Sequence, residues 1–356
     1  MIFTKQDTYE KIRNTPPVDR AIGNLFPTCW SERIPPSLFS HTMEQIESEV
    51  TMEWGAPFLS DAFVECANIL MDAANNNRYQ FISLWEPKEP DWIPDADLNR
   101  ADSVWLFTEN LTKQAKSPSP AAILCPGGGY EMISAYSEGI QLAQRMERDG
   151  GYKAFILNYR ITPNFYPLPQ MDLALAILHL RAHANLYQID PNRIVIVGAS
   201  AGGHLCASEA YLHSQLKQEI LAELSKKGNA NDYEGCSARP DAVGLLYPVI
   251  SFTSEYHEGS YLALTKGQAD LRKSLSVETH IKKDYPPTYA FANEDDDAVP
   301  SSNTKRLEYA LQNAGVPHLC DIFPTGGHGV GLGYDCSCKS WSERMLDFFA
   351  KECAPG

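Results

Sequence analysis

The sequence predicts an α/β protein: a mostly parallel sheet of about eight strands with helices on both faces, preceded by an N-terminal helical extension. Three observations carry this. From residue 79 onward, short β-rich apolar runs alternate with amphipathic stretches of helical period. One of those runs, 193–197, leads through a glycine-flanked serine directly into a helix-like run from Gly203 to about residue 216. The chain has 356 residues, 44% hydrophobic and 21% charged, which is ordinary for a soluble globular protein able to bury a substantial core.

Residues 1–75 differ in character from the rest. Prolines at 16–17 and 35–36 and scattered aromatics separate two expected helices, 42–50 and 58–74. The second places Phe63, Ala67, Leu70 and Met71 on one face, so it needs a surface to pack against. Packing on the main core is the expected role of this extension; a cap over the active site and a dimer contact are the alternatives, the latter making the protein a homo-oligomer. Residues 76–356 are the expected catalytic domain. Strands are expected at 80–85, 103–107, 121–125, 154–159, 193–197, 242–247, 288–292 and 318–323, with helices at 138–148, 170–185 and 302–314 between several of them. The first two strands, joined without a helix, are expected to be antiparallel. Between 251 and 287 serine, glycine and charged residues break the rhythm. An insertion there would lie above the C-terminal edge of the sheet and shape a substrate pocket, or form a plain surface loop.

Thirty Lys and Arg against 45 Asp and Glu give a net charge of −15, which argues against nucleic acid or an anionic membrane as partner. A neutral or cationic small molecule is the expected ligand. The first residues lack a basic segment followed by an apolar run, and no stretch of about 18 apolar residues occurs, so a cytoplasmic location is expected. Nine cysteines, an odd and scattered set, read as reduced and mostly buried thiols. Cys336 and Cys338 are spaced for a redox or metal pair but lack a second pair. Asn110-Leu111-Thr112 matches a glycosylation sequon.

The chemistry starts at Gly198-Ala199-Ser200-Ala201-Gly202. Small residues around a serine between a strand and a helix allow the sharp turn that lifts its hydroxyl above a parallel sheet. A serine hydroxyl is a weak nucleophile at neutral pH, so Ser200 needs a base within hydrogen-bond reach and a carboxylate to fix the tautomer of that base. Of nine histidines, His328 lies in the glycine-rich stretch 323–329 directly after the last expected strand. His204 is nearer in sequence but should point away from the raised hydroxyl. His179 and His183, one helical turn apart, read as packing or surface residues, with a metal pair as the alternative. For the acid, the run Glu294-Asp295-Asp296-Asp297 follows the strand 288–292, and Asp296 is the expected member, with Asp295 and Asp297 as substitutes. The order serine, acid, histidine is that of a nucleophile-elbow hydrolase. Pro126-Gly127-Gly128-Gly129-Tyr130 follows the strand 121–125, where backbone amides can face an oxyanion. Gly127 and Gly128 are the expected donors, completed by the amide of Ala201. This set calls for no cofactor and no metal.

These motifs, together with Asn158-Tyr159-Arg160, Tyr285-Pro286-Pro287 and Asp296-Asp297-Ala298-Val299-Pro300, resemble the α/β-hydrolase superfamily, in particular its acetyl-esterase and acetylxylan-esterase-like branch related to dienelactone hydrolases and prolyl oligopeptidases. The resemblance spans 76–350 and leaves residues 1–75 outside. Proline stands before the glycines where hormone-sensitive-lipase relatives carry histidine. The resemblance implies a serine carboxylic-ester hydrolase removing acetyl or another short acyl group from a small-molecule ester such as an acetylated sugar or xylo-oligosaccharide. A peptidase of prolyl oligopeptidase type shares the residue order, but the propeller usual there is absent. A non-catalytic binding protein on the same fold is the third reading. A dinucleotide site is disfavoured, because serine occupies the position of the second glycine of G-x-G-x-x-G.

Overall fold

The computed structural model describes residues 3–16, 18, 34–50, 59–76, 78–86, 104–108, 117–228 and 231–353. All eight expected strands are present: β1 Gln80–Ser83, β2 Trp105–Thr108, β3 Ser119–Cys125, β4 Lys153–Asn158, β5 Ile189–Ala199, β6 Ala242–Leu246, β7 Thr288–Asn293 and β8 His318–Phe323. They form one sheet in the order β1-β2-β4-β3-β5-β6-β7-β8. β1 is antiparallel to β2, and β2 to β4; every other pairing is parallel. Strands β4, β6 and β7 are buried along their whole length, which is why they read as unbroken apolar runs rather than alternating ones. The edge strand β8 is half-buried and carries polar His318 and Asp321; Arg344 covers Asp321 with two hydrogen bonds of 2.7 Å.

Strand order decides where a ligand can bind. The chain runs from β3 outward to β4, then crosses back to β5 on the other side of β3. Loops leaving the C-terminal ends of β3 and β5 therefore diverge and open a crevice between them. Those loops carry the glycine triplet and Ser200.

The helices that cover the sheet depart modestly from expectation. The helix Ser200–Lys226 is longer than its sequence pattern suggested, because its exposed second half has only a sparse apolar stripe of Leu216, Ile220 and Leu224. The helix Leu168–Ala182 packs against it and is buried nearly all round, so its polar Asp172 has to be satisfied internally. Asp172 accepts from Trp85 Nε1 at 2.7 Å, from the Arg160 amide at 2.8 Å and from Arg160 Nη2 at 2.6 Å. The expected helix 138–148 divides into a π-helical turn, Tyr136–Ile140, and the helix Gln141–Gly150. A π turn inserts one extra residue per turn and re-aims what it carries; this one points Glu138 inward.

The N-terminal region holds helices Tyr9–Arg13, Met43–Glu49 and Ser60–Asn75. Thr42 and Gln45 close a capping box at the start of the second. Phe63, Ala67, Leu70 and Met71 are all buried. They pack toward the π turn: the Phe63 and Tyr136 rings meet edge to face at 6.2 Å, and Cys66 Sγ donates to the Tyr136 carbonyl at 3.0 Å.

Candidate active site

Ser200 stands at the tip of the turn between β5 and the helix Ser200–Lys226, with φ of 53°. That left-handed conformation is costly for a residue with a side chain and survives only where the surroundings enforce it. The enforcement is steric. A Cβ on Gly198 would lie 2.1 Å from the Gly202 carbonyl oxygen, and one on Gly202 would lie 2.0 Å from that of Cys125. Only glycines let β3 and the elbow approach so closely. The Ser200 hydroxyl, little exposed, is directed at His328 Nε2, 2.8 Å away.

His328 sits in the loop after β8, and Asp296 in the turn after β7. His328 Nδ1 and Asp296 Oδ2 are 2.7 Å apart, with the imidazole 8% exposed and the carboxylate fully buried. A carboxylate only accepts, so the ring proton lies on Nδ1, and Nε2 is the free base facing Ser200. Asp296 Oδ1 in turn accepts from the amides of Ala298 and Val299 at 3.0 and 2.8 Å. Ser200, Asp296 and His328 are thus brought together as one chain of hydrogen bonds. The neighbouring acids are not part of it. Asp295 accepts from the amides of Gly326 and Gly327, at 2.9 and 2.8 Å, and ties down the histidine loop. Asp297 is exposed and lines the adjoining cavity.

One expected oxyanion donor is corrected. The amide of Gly127 already donates to Glu138 Oε2 at 2.7 Å, so it is occupied. Gly128 and Gly129 instead line the cavity, both with positive φ, 127° and 67°. The amide of Ala201, in the first turn of its helix, has no intrahelical acceptor. Which glycines of the triplet face the cavity could not be told from the sequence alone.

Nothing in the sequence singles out Glu138, yet it braces three parts of the site. Its Oε1 accepts from the Tyr247 hydroxyl at 2.7 Å, while Oε2 holds Gly127. The Tyr247 ring packs against His328 with centroids 4.9 Å apart, and the Gly331 amide donates to its hydroxyl at 3.3 Å. Burial pushes the Glu138 carboxyl above the usual carboxylate range, against the opposing pull of its hydrogen bonds. The only cue was its place in an amphipathic stretch, where Glu reads as surface.

The other candidates fall elsewhere. His204 is fully buried between Tyr130 Oη and the Leu275 carbonyl, each 2.8 Å away, and burial lowers its pKa to about 4. His179 bonds Tyr187 and Tyr233, and stacks on His183 at 4.4 Å. Cys338 is buried and Cys336 half-buried, and no group of potential metal ligands forms among the described residues. The sequon at Asn110 lies outside the described residues. From the 251–287 segment, His257 reaches the cavity. Its Nδ1 accepts from the Ser260 amide at 3.1 Å, and burial beside His328 lowers its pKa, so it is neutral with its proton on Nε2.

Ser200 and His328 open into a cavity of about 800 Å³. Among the described residues, no helix is long and apolar enough to cross a membrane.

An eight-stranded sheet of this order, with a serine elbow after β5 and covering helices, is an α/β-hydrolase. More narrowly, residues 110–311 match the BD-FAE family, and the chain belongs to it. The acetyl ester-xyloside bifunctional hydrolase from Caldicellulosiruptor lactoaceticus is 32% identical with a TM-score of 0.66, covering 78% of this chain and 97% of that one. The acetylxylan esterase of Xylanibacter ruminicola is 29% identical over 251 residues, 66% of this chain and 48% of that protein. Endo-1,4-beta-xylanase B of Butyrivibrio fibrisolvens is 31% identical over 227 residues, 62% of this chain and 34% of that protein. The chain thus spans between a third and a half of the length of these two curated relatives.

Proposed function

We propose that the protein is a serine carboxylic-ester hydrolase that removes acetyl or a similarly short acyl group from an acetylated sugar. The observation that carries this is the single histidine bridging Ser200 Oγ and Asp296 at 2.8 and 2.7 Å. The names of the relatives, acetylxylan esterase and acetyl ester-xyloside hydrolase, support the substrate class.

In this reading Ser200 Oγ attacks the ester carbonyl while its proton passes to His328 Nε2. Asp296 keeps the Nδ1 proton in place and stabilises the imidazolium. The amides of Gly128 and Ala201 receive the oxyanion. His328 then protonates the departing alcohol. Water, deprotonated by the same nitrogen, releases the acid and restores Ser200.

The test is turnover of 4-nitrophenyl acetate and of an acetylated xylo-oligosaccharide by wild type and Ser200→Ala. Wild-type turnover abolished in the variant is the expected result. A folded wild type that hydrolyses no short-chain ester would favour the binding-protein alternative.

A further inference from the structure

The N-terminal region lies outside the matched residues 110–311, yet it lines the same cavity as Ser200. We infer that Glu47 and residues 59–65 build the outer wall of the substrate site, and that this wall makes the enzyme select uncharged sugar esters over esters carrying a carboxylate. The inference rests on the esterase reading above and deepens it.

The wall is fixed rather than resting loosely on the site. Glu47, Leu59, Ser60, Asp61, Ala62 and Glu65 face the cavity. Glu47 accepts from Lys5 Nζ at 2.7 Å and from the Ser60 hydroxyl, which joins the helix Met43–Glu49 to the start of Ser60–Asn75. Glu65 accepts from Gln141 Nε2, itself a cavity residue at the head of the helix Gln141–Gly150. Cys66 and Phe63 hold Tyr136, another lining residue. The segment is thus pinned at several points to elements that follow β3, the strand bearing the glycine loop.

The charge of this cavity is one-sided. Beyond Glu47, Asp61 and Glu65, the rest of the chain contributes Glu131, Asp297, Asp335 and the buried Glu138, and among the described residues no Lys or Arg lines it. Lys5 reaches Glu47 and Asp61 but is not itself a lining residue. Arg148 is held by Asp149. Carboxylates accept hydrogen bonds from sugar hydroxyls, whereas a second carboxylate brought among them meets like charge, which salt screens. The net charge of −15 adds to the repulsion at long range.

The test compares kcat/KM for acetylated methyl glucoside and for the matching acetylated glucuronate, which differs by a carboxylate at C6. Wild type is expected to favour the glucoside by about tenfold or more at low salt, and the ratio to shrink toward parity near 0.5 M salt. Asp61→Asn combined with Glu65→Gln is expected to cut the ratio at least threefold. Glu223→Gln, remote and paired with Lys226, removes a charge without touching the wall and is expected to leave the ratio unchanged. Equal use of both esters by wild type, a ratio indifferent to the wall substitutions, or an equal effect of Glu223→Gln would each overturn the inference. Turnover of 4-nitrophenyl acetate by wild type separates these results from failure of the esterase reading itself.

Discussion

Asp295 and Asp296, adjacent in the chain, grip one loop by different atoms: Asp296 takes the His328 ring at 2.7 Å, and Asp295 takes the amides of Gly326 and Gly327 just before it. One holds the imidazole, the other anchors the backbone that presents it.

The two should therefore separate on substitution. Asp296→Asn is expected to lower kcat for 4-nitrophenyl acetate by about 10⁴-fold, since an amide in place of the carboxylate favours the wrong tautomer. Asp295→Asn keeps an acceptor oxygen and is expected to cost about tenfold or less. Steady-state kinetics of the two variants side by side check this; a severe Asp295→Asn and a mild Asp296→Asn would reassign the acid.

Glu138 offers a test of the correction at Gly127. Glu138→Ala leaves a buried amide and a buried phenol without their acceptor, worth about 1–3 kcal/mol of stability for each unsatisfied group. It also frees Gly127 to turn, so kcat should fall about tenfold or more with little change in KM. Glu138→Gln can present its oxygen to Gly127 and its amide to Tyr247 Oη, and should recover most of kcat. If the amide variant is as impaired as the alanine one, hydrogen bonding to Gly127 is not what positions the loop.

His204 sets a pH dependence of stability. In the folded protein its pKa is lowered to about 4, and that of half-buried His179 to about 3, by burial; unfolded histidine titrates near 6.5. Between those values the unfolded chain binds the extra proton, so stability is fully present above about pH 6.5 and falls as pH drops toward 4. Urea midpoints at pH 7 and pH 4.5 should differ accordingly. His204→Gln, which can donate to Leu275 and accept from Tyr130, should flatten the difference without abolishing it, because His179 still contributes. An unchanged slope would mean that His204 does not titrate on unfolding.

Asp172 is a stability prediction far from the chemistry. Asp172→Ala strips a buried Arg160 guanidinium of its partner and leaves Trp85 Nε1 unpaired. The expected loss is about 3–5 kcal/mol, read as a lower urea midpoint with unchanged slope. A loss below about 1 kcal/mol would show that water or rearrangement satisfies Arg160.

The strands were legible because parallel strands covered on both faces must be apolar where they are buried, and the central stretches of β3 to β7 are. The meeting of Ser200, Asp296 and His328 was legible for a different reason: each comes soon after a strand, and the fold places strand ends together. What escaped depends on distances the chain order does not encode. Gly127 and Gly128 are identical neighbours, and only the position of Glu138, eleven residues on, decides which amide is occupied. The π turn that aims Glu138 inward leaves the helical period looking nearly ordinary. The five-residue helix Tyr9–Arg13 is too short to show periodicity, and is held by its Thr8 cap and contacts with Phe39 and Phe63. His257 had no cue beyond lying in a segment expected to overhang the site.

The crossing of the chain between β3 and β5 also bears on folding. Ser200 and His328 are 128 residues apart in sequence, and the glycine loop meets the elbow only once β3 has paired with β5. Such parallel, non-local pairing forms slowly. Recovered turnover during refolding would then be a clock for the last steps of assembly, lagging behind any signal that reports helices alone.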